Sequence, residues 1–214
     1  MGSQKPITKI KYSLLKNLMQ KVSVKIIDIK FVKNNLSEIS SAVGKERLER
    51  SERYLDENDR LLSLGAGFLL KKYFPENEFF YNKNGKPYLK DGPFFNLSHS
   101  GEYAVLVVDE SREVGVDIEL INEEKLPVIE RVLKEKLSAG EAFLAWSNKE
   151  SLIKCAGLNI ALIKDAPYLP LSGARRLKND YYYTSSTVYN GYSLSVTLKG
   201  KDPFEIAVES AFNA

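Results

Sequence analysis

The stretch Val114-Gly115-Val116-Asp117-Ile118-Glu119 constrains this chain more than any other. Its period-two pattern reads as a strand: Val116 and Ile118 face a core, while Asp117 and Glu119 share the other face, about 6.6 Å apart along the backbone. Two carboxylates this close are costly to bury without a cation, so that face lines either solvent or a cleft able to share a metal ion. A strand of this kind needs sheet neighbours, and 214 residues are enough for one large core or two smaller halves without disulfide or metal staples. Cys155 is the only cysteine, which excludes an intramolecular disulfide and favours a reducing compartment.

Further elements follow from periodicity and punctuation. Residues 22–32, rich in β-branched side chains, predict a strand. Charged helix formers predict a solvated helix over 45–56, and Asn58 is positioned to cap a largely buried second helix carrying Leu61, Leu64, Phe68 and Leu69. A turn is expected at Asn84-Gly85-Lys86-Pro87 and a bend at Ser98-His99-Ser100-Gly101. Strands over 103–108 and 114–118 flank Asp109-Glu110-Ser111-Arg112, a connection of hairpin length. Ser138-Ala139-Gly140-Glu141 matches a capping box and starts a helix that runs to Gly157, and Asn190-Gly191 joins strands 181–188 and 193–198. The outline is α+β, with two similar subdomains, 1–108 and 109–214, joined around a shared cleft.

Several function classes recede. The uncharged stretch 181–198 is dominated by Tyr, Ser and Thr, and the apolar run 61–70 is closed by Arg60 and Lys71, so neither spans a bilayer. The start Met1-Gly2-Ser3-Gln4-Lys5-Pro6 carries neither a signal-peptide apolar segment nor a myristoylation motif, and a cytoplasmic protein is expected. A net charge of +3 does not demand nucleic acid but suits an anionic ligand or an acidic partner. One histidine and one cysteine do not make a zinc site. The glycine that a nucleophile elbow needs before Ser98 is absent, and Gly65-Ala66-Gly67 lacks a phosphate-loop lysine, so close helix packing explains it better.

The residues left to do chemistry have both a plain and a sharp reading. Glu150 and Lys154 sit i,i+4 with the acid first, the arrangement of an ordinary helix ion pair. Beside Asp117 and Glu119 they would instead supply a third carboxylate for Mg²⁺ and a phosphate contact. His99, Ser98 and Ser100 either stabilise their bend or offer donors to an anion. Lys45, Arg47, Arg50, Arg53 and Arg60 form a solvated face or collect phosphates.

Taken together, Gly85-Lys86-Pro87, Asn96-Leu97-Ser98-His99-Ser100, the Gly115-Val116-Asp117-Ile118-Glu119 block and Trp146-Ser147-Asn148-Lys149-Glu150-Ser151 with Lys154 and Gly157 resemble the 4′-phosphopantetheinyl transferases of the surfactin-synthetase-activating (Sfp) type. The resemblance implies a pseudo-dimeric α+β monomer that binds coenzyme A between its halves. It implies Mg²⁺ on Asp117, Glu119 and Glu150, and Lys154 on a phosphate oxygen, with Lys86, Ser98 and His99 gripping the coenzyme's phosphates. Arg60 matches the basic residue opening the family's long first-half helix, and Arg47 and Arg50 are further candidates for the 3′-phosphate. The implied reaction moves phosphopantetheine from coenzyme A to a serine of an acidic apo carrier protein and releases adenosine 3′,5′-bisphosphate. Glu150 is the first choice of base, with Lys154 and His99 stabilising moving charge.

The chain departs from the family between Ile118 and Trp146, where the aromatic F-F-x-x-x-E segment of longer members is replaced by residues 131–140, RVLKEKLSAG. Neither Glu135 nor Glu141 is given a catalytic role on that basis. Two alternatives use the same residues: a Mg²⁺-dependent phosphohydrolase acting on a nucleotide pyrophosphate, and a non-catalytic module that binds coenzyme A or an acidic partner.

Overall fold

The computed structural model describes residues 19–167 and 172–212. The leader motif at Met1 and residues 168–171 and 213–214 lie outside them. The opening alternation builds β1 (Gln20–Asp28), burying Val22, Val24 and Ile26. This strand stops short of the expected Val32 because Asp28 accepts a hydrogen bond from Lys30 N at 2.6 Å and caps α1 (Ile29–Asn34). Next come α2 (Leu36–Ala42) and α3 (Lys45–Ser51). The helix expected over 45–56 ends at Ser51, whose hydroxyl turns back onto Leu48 O at 2.7 Å. The buried helix α4 (Glu57–Tyr73) is capped by Asp56, which accepts from Asp59 N at 3.0 Å; Asn58 lies inside the exposed first turn and is not the cap. Its glycines serve close packing, since a Cβ at Gly67 would lie 2.7 Å from Arg47 Cγ.

The short pair β2 (Phe80–Tyr81) and β3 (Pro87–Tyr88) leads into β4 (Phe94–Ser100) and β5 (Tyr103–Asp109). The bend expected at residues 98–101 is therefore regular strand through Ser100, and the chain turns only at Gly101, whose φ is +59°. After β6 (Val114–Leu120) come α5 (Leu126–Leu133) and α6 (Ala139–Cys155). The capping box between Ser138 and Glu141 is present, and Gly157, with φ +62°, follows the helix end. The chain closes with β7 (Gly173–Leu177), β8 (Asp180–Tyr189), β9 (Tyr192–Lys199) and β10 (Phe204–Ser210). Asn190 and Gly191 both have positive φ, as a tight primed hairpin turn requires.

The strands form two four-stranded sheets, ordered β10-β1-β5-β4 and β6-β9-β8-β7, with β2-β3 as a separate pair. The hairpin expected between β5 and β6 does not form. Both edges of β5 are already taken by β1 and β4, and β6 pairs with β9, so the Asp109–Arg112 turn carries the chain from one sheet to the other. Asp109 holds that turn, accepting from Ser111 N and Arg112 N at 3.0 and 2.8 Å and pairing with the Arg112 guanidinium at 2.7 Å. One strand crosses back: β10 pairs in parallel with β1.

The core lies in two layers. Leu62, Leu64 and Leu69 of α4 pack on Ile27, Phe95 and Leu106 of the first sheet. Val24, Val105 and Val107 then meet Val116, Ile118, Leu194 and Val196 across the gap between the sheets. The order of layers is α4, first sheet, second sheet, α6, and β4 runs beside β6 where the two sheets meet. No described helix is long and apolar enough to cross a membrane.

Candidate active site

Gly115 draws α6 onto β6. A Cβ there would lie 2.1 Å from Ser151 O and 2.4 Å from Cys155 N, so only glycine lets the helix backbone rest on the strand. Small hydroxyls line the rest of that contact: Ser147 meets Ser195 and Ser151 meets Thr197, each at 2.8 Å. The close approach carries Glu150 and Lys154 over the acidic face of β6. Carboxylate oxygens of Asp117, Glu119 and Glu150 lie within 4.8 Å of one another.

Lys154 sits among them. Its Nζ is 2.5 Å from Asp117 Oδ1 and 3.5 Å from Glu150 Oε2, and it donates to Ser98 Oγ at 3.1 Å. Asp117 is 1% exposed. Burial, reinforced by Glu150 and Glu119 against the pull of Lys154, pushes its carboxyl well above the usual range. Burial and Glu150 raise Glu119 too, opposed by its bond from Ser100. Burial opposes the charge on Lys154, but Asp117 and then Glu150 hold it above its ordinary value. Asp117 Oδ2 is buried without a hydrogen-bond partner. Three carboxylates against one ammonium, with an orphaned inward oxygen, are a donor set suited to a hard divalent cation. The residues present fit Mg²⁺.

The Asn96-Leu97-Ser98-His99-Ser100 motif has a role that the sequence reading missed. β6 exposes alternate N–H groups toward β4, and β4 answers with side chains: Asn96 Oδ1, Ser98 Oγ and Ser100 Oγ accept from Val116, Ile118 and Leu120 N at 2.9, 3.4 and 3.1 Å. The same two hydroxyls donate to the carboxylates, Ser98 to Asp117 at 3.0 Å and Ser100 to Glu119 at 2.9 Å. Both serines therefore orient the acidic pair. The signal was the matching period of two in N-x-S-x-S at Asn96, Ser98 and Ser100 and in V-x-I-x-L at Val116, Ile118 and Leu120, offset by a constant twenty residues.

His99, alternating with these serines, faces the other side of β4. With Arg47, Arg50, Tyr54, Ser63 and Tyr81 it lines a cleft of about 160 Å³. An adjoining cleft of about 370 Å³ shares Arg47, Arg50 and Tyr81 and adds Lys71. Burial, and then the charges of Lys154 and Arg47, lower the pKa of His99 despite Asp59. Arg47 donates from Nε to Ser63 O at 3.0 Å, and the Arg50 guanidinium lies 6.0 Å from the centre of the Tyr81 ring. Arg60 is exposed on the first turn of α4. Lys86 is turned toward the end of α6, where its Nζ donates to main-chain carbonyls. Glu135 lines a surface hollow with Lys134 and Lys136, and Glu141 is engaged in the capping box. The structure thus joins Asp117, Glu119, Glu150, Lys154 and Ser98 in one cluster, and gathers His99, Arg47 and Arg50 in a second beside it.

No family model matches the chain. Among curated proteins it is 29% identical over 170 residues to the 4′-phosphopantetheinyl transferase gsp of Aneurinibacillus migulanus, covering 71% of this chain and 67% of that protein. It is 28% identical to the 4′-phosphopantetheinyl transferase HetI of Nostoc sp., covering 62% of this chain and 67% of the relative, and 29% identical to a 4′-phosphopantetheinyl transferase of Bacillus subtilis, covering 65% and 69%. The resemblance carried by the motifs thus extends over most of the described fold, and by sequence the chain is a relative of the 4′-phosphopantetheinyl transferases.

Proposed function

We propose that this protein transfers the 4′-phosphopantetheine group of coenzyme A to a serine of an apo carrier protein, releasing adenosine 3′,5′-bisphosphate. The observation that carries the reading is the convergence of Asp117, Glu119, Glu150 and Lys154 where the two sheets meet, directly beside a cleft lined by His99, Arg47 and Arg50. Such a pair of sites suits a ligand with a pyrophosphate at one end and a further phosphate at the other. The relatives are named as transferases, which favours transfer over hydrolysis and over binding without turnover.

Asp117, Glu119 and Glu150 would hold Mg²⁺, which when bound neutralises pyrophosphate charge. Lys154, kept protonated by Asp117, offers its ammonium to a phosphate oxygen as charge develops there. Glu150 is the more open of the two carboxylates flanking Lys154, with a side chain 14% exposed against 1% for Asp117, which supports reading it as the base that takes the serine proton. Ser98 and Ser100 keep the acidic pair aimed. His99, with Arg47, Arg50 and the exposed Arg60, receives the 3′-phosphate end. In this reading the halves 1–108 and 109–214 are the two subdomains. Each contributes most of a sheet and the long helix that covers it, with β10 of the second half completing the first sheet, and one chain supplies every group, so a monomer suffices. The excess of basic residues suits an acidic carrier.

The test is to incubate the protein with coenzyme A, Mg²⁺ and an apo acyl carrier protein, then weigh the carrier by intact-mass spectrometry with and without a chelator. A phosphopantetheine adduct that disappears with chelator is expected. Coenzyme A cleaved without an adduct on any carrier would overturn the assignment.

A further inference from the structure

Lys86 belongs to the Gly85-Lys86-Pro87 motif, and the resemblance gives it a phosphate of coenzyme A. Its surroundings point elsewhere. A lysine ammonium has three N–H donors, and Lys86 Nζ directs them at Lys154 O at 2.7 Å, Val114 O at 3.0 Å and Cys155 O at 3.4 Å. Lys154 O and Cys155 O belong to the last turn of α6 and carry its negative dipole end, and Lys154 O also accepts from Gly157 N at 3.3 Å. Val114 O opens β6, the strand bearing the acidic pair.

The local chain is built to deliver that ammonium. Asn82 Oδ1 accepts from Asn84 N at 2.9 Å and Lys86 N at 3.0 Å, and Gly85 takes φ +80°, a conformation that suits glycine. A second stitch runs the same way, from Asn84 Nδ2 to Gly157 O at 2.8 Å. The turn between β2 and β3 therefore grips the end of α6 at two points, one in the helical turn from which Lys154 reaches Asp117 and one at Gly157, just past the helix end.

We infer that Lys86 is a positioning residue, a clasp that fixes the last turn of α6 against the start of β6 and thereby sets Lys154, and that it does not hold a coenzyme phosphate. The consequence for catalysis rests on the transferase reading. The clasp itself does not.

The experiment compares wild-type protein with Lys86→Met, Lys86→Arg and Asn84→Ala. Lys86→Met is expected to speed amide exchange in the peptide covering residues 152–158, to lower Tm, and to lower kcat about tenfold, as small misplacements of catalytic groups do. Its KM for coenzyme A and Kd for adenosine 3′,5′-bisphosphate should stay within about twofold, because no phosphate contact is lost. Lys86→Arg, which keeps donors, should recover part of kcat. Asn84→Ala, a milder change at an exposed residue, should move exchange and kcat in the same direction by a smaller amount, and it decides the matter if Lys86→Met does not fold. A Kd for the bisphosphate raised tenfold or more with exchange and Tm unchanged, a lost phosphate contact of the usual size, would overturn the clasp. A wild-type chain that transfers nothing would sink the transferase reading, and amide exchange and Tm would still judge the clasp.

Discussion

The two sides of β4 are built on opposite plans. Toward β6, Asn96, Ser98 and Ser100 each accept a main-chain N–H, the two serines also hold carboxylates, and Asp117 is sealed from solvent. Toward α4, His99 opens onto a cleft whose arginines come from the short helix α3 and whose aromatic wall comes from a loop and from β2. One side fixes its groups by strand register and helix contact, the other by gathering charge around a space. Register tolerates almost no substitution, whereas a charged cleft loses affinity in steps. Side-chain replacements should therefore abolish function on the first side and tune it on the second.

The sharpest test of that contrast is Asp117→Asn, which preserves volume and can keep a bond from Ser98. Transfer is expected to fall about 10³-fold, the upper range for removing one group that stabilises transition-state charge. Mg²⁺ should raise the Tm of the wild type and leave that of the variant unchanged, because the orphaned Oδ2 no longer belongs to a carboxylate. Undiminished transfer would remove Asp117 from the metal site.

Ser100→Ala tests the same side without touching a carboxylate. Glu119 loses its one hydroxyl partner and Leu120 N its acceptor. Loss of an orienting partner of this kind typically weakens metal affinity about 10–100-fold. The Mg²⁺ concentration for half-maximal rate should rise on that scale, with most of the rate regained at saturating metal. A rate that saturation does not restore would mean that Ser100 acts on something besides the metal.

How much of this was legible in the sequence follows the same division. The acidic strand, the capping box at Ser138, the stop at Gly157 and the Asn190-Gly191 hairpin are local patterns, and each formed as read. The misread element ends, at Asp28, Ser51 and Asn58, are local contests over a cap, whereas the misread pairings are non-local. A four-residue link after β5 looks like a hairpin, and nothing local reveals that β1 and β4 already hold both edges of that strand. Likewise the bend at His99 was read from Ser and Gly content, but seven residues of ladder pairing with β5 override that preference. Ser98 stood out in the sequence as a donor for an anion, but its partners Asp117 and Lys154 lie far along the chain, and only the shared offset between two period-two motifs hinted at the ladder. The arginines were legible as a group. Their separation into Arg47 and Arg50 in the cleft and Arg60 on the exposed helix start depends on where α3 ends.

On the open side, Arg50→Ala removes one guanidinium that lines both clefts. An exposed charge-assisted contact is expected to be worth about tenfold in KM for coenzyme A. The KM for dephospho-coenzyme A, which lacks the 3′-phosphate, should barely change. Equal losses for the two substrates would place Arg50 away from that phosphate and leave the cleft to another part of the ligand.

The smallest effect is expected at Asp109, which lies in neither region but holds the turn that carries the chain from one sheet to the other. Its side chain is 8% exposed. Burial works against its charge, and the bonds from Arg112 and from the main chain at Ser111 and Arg112 outweigh burial and hold its pKa below the ordinary value. A group whose pKa is depressed in the folded protein adds stability above its unfolded pKa, about 3.9, and loses that contribution as pH falls through the folded value. Asp109→Asn should therefore cost about 1–2 kcal/mol in urea unfolding at neutral pH, where the carboxylate is charged and bonded. The cost should shrink as the pH drops below about 4, because protonation does to the wild type what the substitution does to the variant. Activity at saturating substrate should hold, since β5 and β6 remain anchored by their own ladders. A stability gap independent of pH would show that shape, not charge, holds the turn between the two sheets.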